Sequence, residues 1–154
     1  MARTIVKTKI DVDERKALNR VRFMGQRCDD FRPVFEVMAT GIAARNFKNY
    51  TSNGSLVGGW KPLHPDTYRQ KVRNFGTQPT LVANGRLMSK VTKRPFGYEN
   101  IGKKSMSVGT KLPYAKYHRT GTRYMPKREF MVFDRKMVRE YNRLVKRYIA
   151  KGVI

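Results

Sequence analysis

No long helix or strand fits between Leu81 and Phe133, because glycine, proline and aromatic residues punctuate that stretch in a fixed order. Gly85, Gly109 and Gly121 end periodic segments, where a residue free to take positive φ turns the backbone without steric cost. Pro113 and Pro126 each open a short run that closes on aromatics, Tyr114 and Tyr117 in one and Phe130 and Phe133 in the other. Proline lacks a donor and fixes φ, so neither run belongs in a central strand. The pattern predicts a small sheet with compact turns and an ordered loop leading into a final helix.

Around this stretch, 154 residues suffice for one domain and one core, and we read 1–154 as a single unit. Charge is the extreme number: 34 Lys and Arg against 11 Asp and Glu give +23. Residues 1–60 hold 11 basic and 6 acidic residues, 61–118 hold 12 and 2, and 119–154 hold 11 and 3, so the excess is spread and not a tail. A folded surface beside a polyanion, either nucleic acid or an acidic protein, is the expectation. The N-terminus has no apolar signal-peptide core, and no run of apolar residues is long enough for a membrane span. The expected site of synthesis is therefore the cytoplasm, with no membrane partner.

The chain opens with Ile5, Val6, Ile10 and Val12 among lysines, which predicts an edge strand over residues 1–12. From Asp13 the spacing of Leu18, Val21, Gly25, Cys28 and Phe31 predicts a helix. Pro33 either kinks it or sits in the first turn of a second helix ending near Phe47–Tyr50. A loop over Thr51–Gly59 lacks phosphate-loop spacing, and Trp60 is a buried anchor at the base of a short helix opened by Pro65. Thr80 is positioned to cap a helical turn carrying Leu81, Val82, Leu87 and Met88, and strands are expected over Ser89–Gly97 and Ser105–Thr110 with an exposed basic hairpin between them. Last comes an amphipathic helix capped by Asp134, with Met137, Val138, Tyr141, Leu144, Val145, Tyr148 and Ile149 on one face and Arg135, Lys136, Arg139, Arg143, Lys146 and Arg147 on the other. The fold class is thus α+β: N-terminal helices, a small antiparallel sheet with a basic hairpin, and a C-terminal helix packed on the sheet.

Residues for chemistry are sparse. His64 and His118 have no second ligand at helical or hairpin spacing, Cys28 is alone on an apolar face, and Asp66 and Glu99 are the only carboxylates between residues 37 and 128. We expect no metal, no cofactor and no enzymatic activity, and a binding or building role by elimination.

In order along the chain stand Arg45-Asn46-Phe47, then Gly59-Trp60-Lys61-Pro62-Leu63 with Thr67, then Leu81, Gly85, Leu87 and Ser89. Val108-Gly109, Tyr114-Ala115, His118 and Gly121 follow, and Met125-Pro126-Lys127-Arg128-Glu129-Phe130 closes the series. This order resembles the virion morphogenesis or tail completion family of tailed bacteriophages, including its Mu-like members, with Glu129 standing where many members carry proline. The resemblance covers most of the chain. It implies a structural protein of the virion neck or tail end, a tail-terminator type component forming a homo-oligomeric ring, with a hexamer the expected size. Its partners would be neighbouring neck and tail proteins, with packaged DNA passing the channel, and its location the virion.

Within that reading Tyr114, Tyr117, Tyr124 and Arg128 are candidates for a subunit or partner interface, where Tyr and Arg are enriched. Lys93, Arg94, Lys103 and Lys104, with Arg139, Arg143, Lys146 and Arg147, are candidates for a basic surface, and Trp60, Phe130 and Phe133 are expected to anchor the fold. The competing expectation is a non-specific nucleic-acid-binding protein of ribosomal or nucleoid type, for which the charge alone suffices.

Overall fold

The computed structural model of the protein describes residues 13–154, and the strand expected over residues 1–12 lies outside the described residues. Asp13 caps the first helix, its carboxylate accepting the backbone N–H of Lys16, and α1 runs Glu14–Asp29. Asp30 then takes extended backbone and accepts from both the backbone and the guanidinium of Arg32, so the chain turns and α2 begins anew at Arg32 with Pro33 in its first turn. Of the two sequence alternatives, the second helix is the one adopted. α2 (Arg32–Thr51) is followed by a 3-10 turn, α3 (Pro65–Phe75), α4 (Arg86–Thr92), the strands β1 (Tyr98–Ile101) and β2 (Met106–Gly109), α5 (Ala115–Thr120) and α6 (Arg135–Lys151). The strands pair antiparallel, Tyr98 opposite Gly109 and Ile101 opposite Met106.

α2 is the axis of the molecule. Val34, Met38, Ile42, Asn46 and Asn49 recur every three or four residues, Ala39, Ala43 and Tyr50 widen the stripe, and all are buried. Its later turns, through Tyr50, join Trp60, Val82, Leu87, Val91, Ala115 and Phe130 in one apolar cluster. Its middle, through Ala39, Ile42 and Ala43, joins Phe96 and Met137 in a second, against which Ile101, Met106 and Val108 of the hairpin and Tyr141 are packed. α6 lies mainly along α1 and α2 and reaches the sheet through this shared cluster.

The segment 127–132 crosses the core without a strand partner; its Arg128 N–H donates to the His118 carbonyl at 2.7 Å, and side chains satisfy further backbone groups. The N–H of Val132 donates to Oδ1 of Asn46 at 2.9 Å, while Nδ2 of the same amide donates to the Val91 carbonyl at 2.9 Å. The Glu129 carbonyl accepts from Nε1 of Trp60 at 2.7 Å and Nδ2 of Asn49 at 3.3 Å. Two buried asparagines and the one tryptophan thus do what a neighbouring strand would otherwise do for these groups.

The structure corrects four sequence expectations here. Residues 86–92, expected to straddle a capped turn and a strand, form α4 with Gly85 in left-handed backbone at its N-cap, and Thr80 caps nothing. Leu87 and Val91, one turn apart, form the buried face of that helix. The strand follows later, at Tyr98, within the residues taken for the hairpin turn. That turn is docked: the Lys103 carbonyl accepts from the N–H of Phe31 at 2.8 Å, at the corner between α1 and α2. Finally, Phe133 is not an anchor, being 62% exposed. Arg128, Phe130 and Val132 are buried, and in extended backbone alternate residues share a face, so Phe133 points the other way.

Candidate assembly surfaces

Trp60 and Phe130 hold the first cluster as expected. Tyr50 meets the Trp60 ring edge-on with centroids 5.2 Å apart, and burial pushes its phenol up from the ordinary tyrosine range. Arg128, expected at an interface, is buried at 4% exposure. Its Nε donates to the Lys61 carbonyl at 2.9 Å and its Nη2 to the Pro62 carbonyl at 3.1 Å, so the guanidinium clips the Trp60 loop to the crossing segment. It therefore serves the fold, and it also lines the groove beside α3. Beside it, burial and then the Arg128 charge hold the His118 imidazole below the usual histidine range, with Nδ1 enclosed and unpartnered.

The three tyrosines remain on the surface. Tyr114 and Tyr117 are exposed on and before α5, and Tyr124 stands 88% exposed at the tip of a tight turn closed by the Thr122–Met125 bridge. Gly121 allows that turn: its φ is +77°, and a Cβ would meet the Lys127 backbone nitrogen at 3.0 Å. Tyr114, His118, Tyr124 and Met125 form one wall of a groove of about 710 Å³, whose other walls are α3, through Thr67, Lys71 and Phe75, and the turn 80–87. Lys71 secures the rim, its ammonium donating to the carbonyls of Gln78 at 2.9 Å and Pro79 at 2.5 Å. A second, smaller depression of about 350 Å³ includes Lys116, Arg119, Phe130, Met131 and the exposed Phe133. α5 contributes to both depressions.

Two helices bury no residue. α1 leaves Leu18, Val21 and Phe23 exposed, and α3 does the same with Tyr68 and Phe75. The α1 contacts fall in its last turn and the link beyond: Arg27 donates to the Ile149 carbonyl at 3.0 Å, Lys104 to the Cys28 carbonyl, and Tyr148 to the Asp30 carbonyl at 3.0 Å. The stripe read from the sequence as core is therefore largely uncovered over its first three turns.

Of the expected basic residues, Arg94 is committed within the chain. It donates to Glu36 and Glu99 at 2.5 Å each, tying α2 to β1, and with Phe96 it holds the Glu99 carboxyl below the usual range. Lys104 is drawn to Cys28 and Asp29, whereas Lys103 and Lys93 are exposed. On α6, Arg139, Arg143, Lys146 and Arg147 are all exposed. Among the described residues no group of His, Cys, Asp and Glu is arranged to hold a metal ion, and no helix is long and apolar enough to cross a membrane. Compared with protein-family models, curated proteins and solved structures, the chain finds no match in any of the three.

Proposed function

We propose that this protein is a structural component of a phage head-tail junction, a neck, tail-completion or tail-terminator subunit that forms a ring and works through its surfaces, with no enzymatic step. The observation that carries the assembly reading is surface area. The chain exposes 11772 Å², whereas a folded monomer of 17.9 kDa exposes about 8,000 Å². Among the described residues α1 and α3 bury none of their own side chains, and the exposed Tyr124 and Phe133 line two separate depressions.

A subunit with two such faces suits a heterologous ring, where each copy meets one neighbour on either side. The α3 groove with Tyr114 and Tyr124, to which we add the exposed Tyr117 of α5, and the depression by Phe133 are the faces we assign, with a hexamer the expected ring. The junction location rests on the ordered motifs from Arg45 to Phe130, and the partners it implies are neighbouring neck and tail proteins. Particles produced without this protein should accumulate as DNA-filled heads and separate tails, visible by electron microscopy, while replication and capsid formation proceed. Normal joined particles, or an early block in replication, would overturn the reading.

A further inference from the structure

The outer face of α6 is densely cationic. At 100° per residue, Arg135, Lys136, Arg139, Arg143, Lys146 and Arg147 fall within an arc of about 120°. All six are exposed, and among the described residues none is paired with a carboxylate or donates a side-chain hydrogen bond. Four arginines elsewhere are tied down, Arg27 to Ile149, Arg45 to Asp134, Arg94 to two glutamates and Arg128 to two carbonyls, while Arg15, Arg20 and Arg22 of α1 are exposed like those of α6. The six therefore form a strip of free cations on a rigid rod whose opposite side is packed, through Met137 and Tyr141, against the core.

We propose that this strip binds the phosphate backbone of duplex DNA. The six span about 18 Å of helix axis, and over that length one strand of a duplex presents about five phosphates. A protein partner is disfavoured because interface cores are built on apolar and aromatic anchors, and although arginine is common at interfaces the arc carries no such anchor beside its four arginines and two lysines. Single strands are disfavoured for a related reason: their binding surfaces stack bases on aromatic side chains, which the arc lacks. Contact is made through charge alone, so it is independent of base sequence and steep in salt. The inference does not rest on the junction reading, since a phosphate-binding α6 fits a freestanding protein equally well.

The test is fluorescence anisotropy of the full chain on a labelled duplex of about 30 base pairs across a salt series. Replacing Arg139, Arg143, Lys146 and Arg147 together with Gln should lower the slope of log Kd against log salt by about 3–4. A charge-matched set on exposed residues elsewhere, Lys48, Lys61, Arg73 and Lys90 to Gln, should change it by less than about 1, and replacing Arg139, Arg143 and Arg147 with Lys should preserve it. Circular dichroism establishes that each variant keeps its helices. An equal fall for both sets would assign binding to the net charge of the whole molecule and overturn the proposal. So would tighter binding to poly-dT than to the duplex, or displacement of the duplex by polyglutamate at lower charge concentration than by competitor DNA.

Discussion

A guanidinium enclosed by protein must find acceptors, and Arg128 finds them in the Lys61 and Pro62 carbonyls. Burial lowers its pKa from the ordinary arginine range, and replacing it with Ala strands two carbonyls and leaves a cavity. We expect R128A to lose about 2–4 kcal/mol of stability. R128K should recover little of it, since a lysine cannot reproduce the fork. Urea unfolding followed by emission of the single Trp60 measures both, and a loss under about 0.5 kcal/mol would return Arg128 to the surface role. Gly54 carries a second constraint. Its φ is +82° and an added Cβ would lie 2.4 Å from the Trp60 ring, so G54A combines backbone strain with overlap and should cost more than about 2 kcal/mol by the same assay. The alternation that buries Arg128, Phe130 and Val132 and exposes Phe133 was legible in residue spacing, had the stretch been read as extended. The need of the Lys61 and Pro62 carbonyls for a donor was not, because those groups meet Arg128 only after 66 residues of chain have folded between them.

At the scale of elements, α6 depends on its cap. The Asp134 carboxylate accepts the Met137 N–H at 2.7 Å and pairs with Arg45, and these two contacts, the N–H first, hold its carboxyl below the usual range. D134A should therefore cost about 1–2 kcal/mol. Because the folded pKa is depressed, this contribution is complete above the unfolded value of about 3.9 and is lost as pH falls through the folded one. D134N keeps an acceptor for the cap and loses the titration, so its urea midpoint should vary less with pH below about 4 than that of the wild type. An identical pH profile would mean that the acid sensitivity lies with other depressed carboxylates such as Glu99. Caps, prolines and 3.6-residue periodicity act within a few residues, which is why α1, α2, α3 and α6 were legible in sequence. α4 was not: Val91 and Thr92 favour a strand locally, and what makes the segment helical is the insertion of Leu87 and Val91 into the α2 cluster, a tertiary effect.

Across the whole molecule, apolar groups and cations are distributed to different surfaces. Tyr124, Phe75 and Phe133 line two depressions joined by α5, which also exposes Tyr117, while the free cations of α6 form a strip whose underside is core. The two sets answer to salt in opposite ways. Contacts through aromatic side chains bury apolar area and persist at salt concentrations that screen charge, and screening also relieves the repulsion among subunits that each carry +23. Phosphate contacts weaken steeply over the same range. Raising salt should thus strengthen self-association while releasing DNA, and sedimentation velocity over a protein concentration series reads the first directly. Tyr124 is 88% exposed and Tyr117 46%, so replacing both with Ala removes little from the folded monomer and should leave its urea midpoint within about 0.5 kcal/mol of wild type. If the α3 groove and this pair of tyrosines form the subunit face, the same double variant should sediment as a monomer at concentrations where the wild type is a ring. A wild type that stays monomeric at every concentration and salt, or a double variant that assembles as well as the parent, would remove these tyrosines from the assembly face.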